Sequence, residues 1–215
     1  TNYECYKGLY SSFNDDNLFE IAHSLKRLFN GESGIYRNLD LYNFVDNHDV
    51  DRIASTLNDS AHLYPLHILL FSMPGTPSIY YGSEWGIEGK KEEHSDKNVR
   101  QYLDISLMDK EVNRDLNSTI SKLSFIWYSS RALKHGSYSE ILIESNIIVF
   151  SREYEEEKVL IFINSSDKEI DLEIPRGTLG NHFEDILNDS TKYSMKEGKL
   201  KIKIYPNWGA ILKCI

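Results

Sequence analysis

Leu18, Ile21, Ala22, Leu25, Leu28 and Phe29 recur at spacings of three and four, which predicts an amphipathic helix within residues 11–32. The turn-like SSFNDDN precedes it, with Asn14, Asp15 or Asp16 to cap it and Gly31 with Gly34 to stop it. A short apolar run (Leu41, Phe44, Val45) predicts a buried strand that ends abruptly at Asn47-His48-Asp49. Residues 61–71 are strongly apolar and helical in length; Pro65 fits only near the first turn, and MPGTP at 73–77 breaks the run. Residues 78–81 form a β-prone run ending at Gly82, and a long polar loop follows. Leu116, Ile120, Leu123, Ile126, Trp127 and Leu133 predict one long helix over 113–135, stopped by Gly136.

Beyond Gly136 the texture changes to short β-rich runs at 138–143, 146–152, 158–164, 169–174, 200–204 and 208–213. Turn residues separate them at the spacing of an all-β sandwich, and SREYEEEK and NSSDKE read as hairpin turns. The strand-helix-strand order before Gly136 argues for β/α units. The expected fold class is therefore α/β plus all-β, with one unit at 1–135 and an antiparallel β-sandwich at 136–215. The second unit carries no catalytic constellation.

The 215 residues are 40% hydrophobic and 27% charged, long enough to bury a proper core. No apolar run approaches the roughly 18 residues of a membrane span. With 24 Lys plus Arg against 33 Asp plus Glu, the net charge of −9 disfavours nucleic acid and suits neutral or weakly polar ligands. Cys5 and Cys214 are too sparse for a disulfide framework and read as free thiols, which favours the cytoplasm. No signal peptide is visible, and TNYECYKG without an initiator Met reads as the start of an excised piece.

Candidate chemistry gathers at two strand ends. Asn47, His48 and Asp49 close the first, and Asp96 and Arg100 follow the second, so adjacent barrel strands would bring them to one rim, where active sites of such barrels lie. Carboxylates and a guanidinium bind sugar hydroxyls directionally, and Tyr80, Tyr81 and Trp85 can lie against pyranose faces. Each has a plainer reading: Asp49 can cap a helix beginning at Val50, His48 can be a packing residue, Asp96 can cap a turn, Arg100 can pair with Asp96 or Asp104, and the tyrosines can be strand packing. Lys90 to Glu93 reads as a solvated charge run. The chain lacks H-E-x-x-H, paired Cys, G-x-G-x-x-G, G-x-x-x-x-G-K and G-x-S-x-G, so metal, nucleotide and serine-hydrolase chemistry find no support, and no cofactor is evident.

The string FVDNHD at 44–49 resembles the fourth sequence signature of the α-amylase superfamily, glycoside hydrolase family thirteen. PGTPSIYYGSEWG at 74–86 resembles its eighth-strand segment, with Ser83 where Asp is common, and Asp96 with Arg100 matches a loop of maltogenic amylase and neopullulanase-like members. The resemblance implies the C-terminal portion of a (β/α)8 barrel, strands six to eight, followed by the sandwich, with Asn2-Tyr3 at the end of strand six. It implies retaining hydrolysis or transfer of α-glucosidic bonds in starch or maltooligosaccharides. Asp49 matches the transition-state stabiliser, His48 the hydrogen-bond donor beside it, and Asp96 with Arg100 the loop that holds the sugar; Asn47, Tyr81 and Trp85 complete the expected substrate-binding set. The nucleophilic Asp and general-acid Glu would precede Thr1, so the isolated chain is expected to be inactive, since retaining chemistry needs both. A calcium ion would belong to that absent part; no metal residues are expected here. Open strand edges near Tyr3 and Tyr80 imply homo-association. The competing expectation is a non-catalytic carbohydrate-binding or interaction module.

Overall fold

The computed structural model describes residues 1–31, 33–106, 114–175 and 180–215. Helices α1 (Tyr3–Asn14) and α2 (Phe19–Phe29) lead to β1 (Tyr42–Asn43), α3 (Ile53–Thr56), α4 (Leu63–Ser72) and β2 (Thr76–Pro77). Helices α5 (Arg114–Ser129) and α6 (Arg131–His135) come next. Eight strands complete the chain: β3 (Ser137–Glu144), β4 (Ile147–Tyr154), β5 (Glu157–Asn164), β6 (Ile170–Pro175), β7 (His182–Asp185), β8 (Lys192–Ser194), β9 (Lys199–Ile204) and β10 (Trp208–Cys214).

Tyr3 is the first residue of a helix, where a strand end and then a turn were expected. Asn2 caps that helix by accepting the Cys5 N–H at 3.1 Å, and Cys5, Leu9, Ser12 and Phe13 bury one face. Asn2 also reaches β1: its backbone N–H donates to Tyr42 O at 2.9 Å and its amide to Asn43 Oδ1 at 2.8 Å. Strand β1 pairs in parallel with β2, Tyr42 opposite Thr76 and Asn43 opposite Pro77. Asn2, β1 and β2 thus lie side by side, with β1 and β2 forming a short parallel arc of barrel.

The apolar run at 41–45 contributes only two residues to the ladder, while Phe44 and Val45 leave it for the core. The strand expected at 78–81 lies earlier, at Thr76–Pro77. Ser78 N–H still donates to Asn43 O at 2.9 Å, but Ile79 and Tyr80 run on outside the ladder. At Gly75, φ is +110° and an added Cβ would meet Leu41 O at 2.4 Å, so only glycine lets β2 approach β1 there.

Helix α2 is capped from a distance. Ser12 Oγ accepts the Ile21 N–H at 3.0 Å, where Asn14, Asp15 or Asp16 was expected to serve. Gly31, at φ +44°, follows the C-cap Asn30, as expected. Pro65 sits in the first turn of α4, the position that tolerates it. The long helix expected to reach His135 is two helices. Ser130 leaves helical geometry and its Oγ accepts the Leu133 N–H at 3.1 Å, capping α6; residue 113, the expected start, lies outside the described residues.

Strands β3-β4-β5-β10-β7-β8 form one sheet, and β6-β9 form a second, antiparallel pair. Two of these strands, β7 and β8, were not foreseen, and NSSDKE crosses from one sheet to the other where a hairpin was expected. Residues of opposite parity bury both faces of the large sheet. Ile148, Phe150, Ile161, Ile163 and Ile211 pack on the helices, while Ile147, Val149, Leu160, Phe162 and Leu212 pack on Leu172, Ile174, Leu200 and Ile202 of the small one. Burial on both sides explains the uninterrupted IIVF and VLIFI runs. Arg152 of β4, 1% exposed, donates to Ser72 O at 2.8 Å and twice to Gly136 O, so a single cation closes the C-terminal ends of α4 and α6. Cys5 is buried and its thiol is pushed up to about 12, which keeps it protonated. Among the described residues no helix is long and apolar enough to cross a membrane.

Candidate active site

The FVDNHDVDR stretch leaves β1 and turns at the barrel rim, and two carboxylates three residues apart meet opposite environments. Asp46 is 1% exposed. Its Oδ2 accepts the Ile53 N–H at 2.9 Å, and Ser83 Oγ donates to the same carboxylate. Asp46, not Asp49, therefore caps the helix after the signature, and that helix begins at Ile53, not at Val50. Burial pushes the Asp46 carboxyl above its ordinary range, opposed by the Ile53 N–H, the Ser83 hydroxyl and the Arg52 charge.

Arg52 is fully buried above this carboxylate. Its Nη1 donates to Tyr81 O at 2.6 Å and reaches Ser83 Oγ at 3.4 Å, so guanidinium, hydroxyl and Asp46 carboxylate form one chain. Its guanidinium carbon also lies 4.3 Å from the Tyr80 ring centroid and 5.0 Å from that of Tyr81. This network fixes the start of the 82–100 loop against the end of β1. Sequence reasoning passed over Asp46 and Arg52; the signal was a carboxylate directly after Phe44-Val45, where a buried charge demands partners.

The exposed rim holds the rest. Asn47 Oδ1 accepts the Asp49 N–H at 2.7 Å, a local turn that sets the direction of the Asp49 side chain. Asp49 Oδ2 lies 3.2 Å from His48 Nε2, and its Oδ1 lies 3.9 Å from Arg100 Nη2 and 4.0 Å from Lys91 Nζ. Asp96 Oδ2 lies 3.1 Å from Arg100 Nη2. Asp96 O accepts the N–H groups of Val99 and Arg100, and buried Val99 anchors that turn, which sets Asp96 and Arg100 side by side. Arg100 faces Asp96 and Asp49 together.

Tyr81 and Trp85 belong to a neighbouring surface whose lining does not include Asp49. With Glu84, Arg100, Gln101 and Tyr102 they line an adjoining cavity of about 560 Å³ that opens beside Arg100. Tyr81, 42% exposed, donates its hydroxyl to Gln101 O at 2.9 Å. Tyr80 turns to Arg52, and His94 is exposed. Lys91, taken from sequence as part of a solvated charge run, stands inside it. Among the described residues no group of three or more His, Cys, Asp or Glu could hold a metal ion.

The family model "Alpha amylase, catalytic domain" matches residues 13–130, more than half of the chain. The chain belongs to the α-amylase family. A second model of this kinship, "Maltogenic Amylase, C-terminal domain", matches residues 140–206. Among curated relatives, a cyclomaltodextrin glucanotransferase of Geobacillus stearothermophilus is 28% identical over 159 residues, covering 71% of this chain and 21% of that protein. A cyclomaltodextrinase of Thermoanaerobacter pseudethanolicus is 27% identical over 130 residues, covering 60% of this chain and 22% of that protein. The chain thus spans about a fifth of the length of these two curated relatives. Among solved structures, the α-amylase of Geobacillus thermoleovorans, complexed with acarbose, superposes with a TM-score of 0.84 at 19% identity, over 99% of this chain and 47% of that one. The maltogenic amylase of S. marinus superposes at 0.63 and 27% identity, over 80% of this chain and 22% of that one. The arc of parallel strands followed by a β-sandwich is accordingly the C-terminal part of the family's barrel with its terminal β domain.

Proposed function

We propose that this chain is part of a retaining α-glucan-acting glycosidase, hydrolysing or transferring α-glucosidic bonds, and that it supplies the supporting carboxylate of that active site. The observation that carries this reading is the convergence of Asp49 with His48, Asp96 and Arg100 on one rim, in a member of the α-amylase family. Asp49 stabilises the positive charge of the oxocarbenium-like transition state and binds sugar hydroxyls. His48 donates a hydrogen bond beside it, Asn47 holds the turn, and Asp96 with Arg100 holds the sugar at the cleavage point. Tyr81 and Trp85 offer apolar faces to the next sugar along the cavity.

Residues 1–135 form the barrel unit and 136–215 the β-sandwich unit in this reading, and the compartment is the cytoplasm. Nucleophile and general acid come from outside these 215 residues, so the chain alone does not cleave. The barrel arc buries its remaining surface by association: Tyr3 and Tyr42, both about half exposed, flank Phe44 at ring distances of 5.0 and 6.4 Å and give a second copy an apolar face.

In the intact protein, Asp49→Asn lowers turnover on maltooligosaccharides by roughly 10²-fold or more and leaves the melting temperature nearly unchanged. Wild-type turnover in that variant removes Asp49 from the mechanism. A second reading, a carbohydrate-binding module without cleavage, is favoured by the cations already set against both Asp49 and Asp96, an arrangement made for holding a ligand. Maltotriose binding by an intact protein that cuts no α-glucan selects it.

A further inference from the structure

Lys91 is a charged side chain at the rim without a named part in the sugar recognition proposed above. Lys91 Nζ donates to the main-chain oxygen of Asp49 at 3.1 Å and stands 4.0 Å from Asp49 Oδ1 and 3.9 Å from Asp96 Oδ1. Arg100 occupies the matching place on the far side, 3.9 Å from Asp49 Oδ1 and 3.1 Å from Asp96 Oδ2. Two carboxylates and two cations therefore alternate around one small space. We infer that Lys91 is a glucan-binding residue of this site, donating to a sugar hydroxyl that in turn donates to Asp49 or Asp96; this rests on the α-glucan reading above.

Geometry supports the assignment in two ways. The ammonium is too far from either carboxylate for a direct hydrogen bond, which spans about 2.7–3.2 Å. It is near enough that one hydroxyl beside it accepts from Nζ and donates to a carboxylate oxygen. Of its three N–H donors one is engaged by Asp49 O, and two remain for that space. The second support is how firmly the residue is placed. Its own backbone N–H donates to Asp51 Oδ1 at 2.6 Å, Gly89 N–H donates to Ser55 Oγ at 2.8 Å, and Gly89 O accepts the Arg52 N–H at 2.9 Å. The opposite arm presses so close that a Cβ on Gly89 would meet Asn98 O at 2.0 Å. A lysine swinging freely in solvent needs no such scaffold; one aimed between two carboxylates does.

The test is the intact protein with Lys91→Met, Lys91→Arg and the neighbouring exposed Lys90→Met, assayed on maltotriose with melting curves for each. Lys91→Met raises KM about tenfold or more with kcat changed less than about threefold, the loss of one charged hydrogen bond. Lys91→Arg recovers KM to within about threefold, and Lys90→Met matches wild type. A Lys91→Met variant whose KM stays within twofold of wild type overturns the inference, whether or not its melting temperature moves. Should the wild type bind maltotriose without cutting it, the dissociation constant replaces KM: tenfold weaker binding by Lys91→Met sustains the role of Lys91 while the cleavage reading fails. A wild type that neither binds nor cuts overturns both.

Discussion

Asp46 and Asp49 are the same side chain three positions apart, and their surroundings divide the work between them. Asp46 is buried, accepts the helix N–H of Ile53 and receives the Ser83 hydroxyl, while Asp49 stands half exposed among His48, Lys91 and Arg100. Asp46→Ala removes a cap and takes from the buried Arg52 the carboxylate charge linked to it through Ser83, so a loss of roughly 2–4 kcal/mol is expected. Asp49→Ala, touching only exposed groups, changes stability by no more than about 0.5 kcal/mol. Thermal or denaturant unfolding of the two variants measures the difference; equal losses would mean the division is wrong. Sequence pattern brought out the cluster at 47–49 because polar residues after an apolar run are visible in one dimension. It placed the helix cap on the wrong aspartate, because burial of Asp46 depends on Ser83 and Arg52 folding over it.

Helix α4 shows what burial does to an element that has no polar face. Nine of its residues are buried, among them His67, whose Nδ1 donates to Leu63 O at 2.6 Å while Nε2 finds no hydrogen-bond partner. Desolvation pulls this imidazole down to about 4, so the folded protein keeps it neutral. The unfolded chain takes up the proton near pH 6.5 and the folded one only near 4. Stability is therefore full above pH 6.5 and falls as pH drops toward 4, by roughly 3 kcal/mol from this group. Melting temperatures recorded across that interval should show the decline, and His67→Leu should flatten it; an unchanged slope would assign the acid sensitivity elsewhere. Periodicity made α2 and α5 legible because their apolar spacing is regular, while α4 was legible from the length of its apolar run. It missed β7 and β8, whose short polar sequences become strands only through pairing with β10 and with each other. It also ran α5 into α6, since the cap made by Ser130 interrupts the helix without interrupting the apolar pattern.

At the scale of the whole molecule, the surface of the barrel arc is the feature with consequences. Tyr3, Tyr6 and Tyr42 gather around Phe44, and the parallel ladder they flank is two residues long, too little to shield its own edges. The 215-residue chain is expected to run as a dimer or larger species in light scattering, and Tyr3→Ser with Tyr42→Ser to shift it toward monomer. A clean wild-type monomer would remove the association. The join to the sandwich is built differently: one continuous core runs from α1, α2 and α4 into β4, β5 and β10, and Arg152 ties two helix ends to β4. The barrel unit thus presses on a sheet buried from both sides, and the rim holding Asp49 rests on that packing.

Residue order alone determined the family kinship, the succession from β/α units to β-sandwich, and the identity of Asn47, His48, Asp49, Asp96 and Arg100 as groups for one rim. These follow from local spacing and from motif strings, which are properties of the chain read in one dimension. Tertiary structure alone decided that Asp46 is the buried cap, that Tyr81 and Trp85 face a neighbouring cavity beside Arg100, and that Lys91 leaves a surface charge run to stand between two carboxylates. The Asp46 and Lys91 placements depend on contacts between segments about 40 residues apart, and the cavity on contacts about 20 apart, set by how the 82–100 loop folds back. No spacing along the chain encodes that return; only burial and hydrogen bonding in the folded molecule fix it.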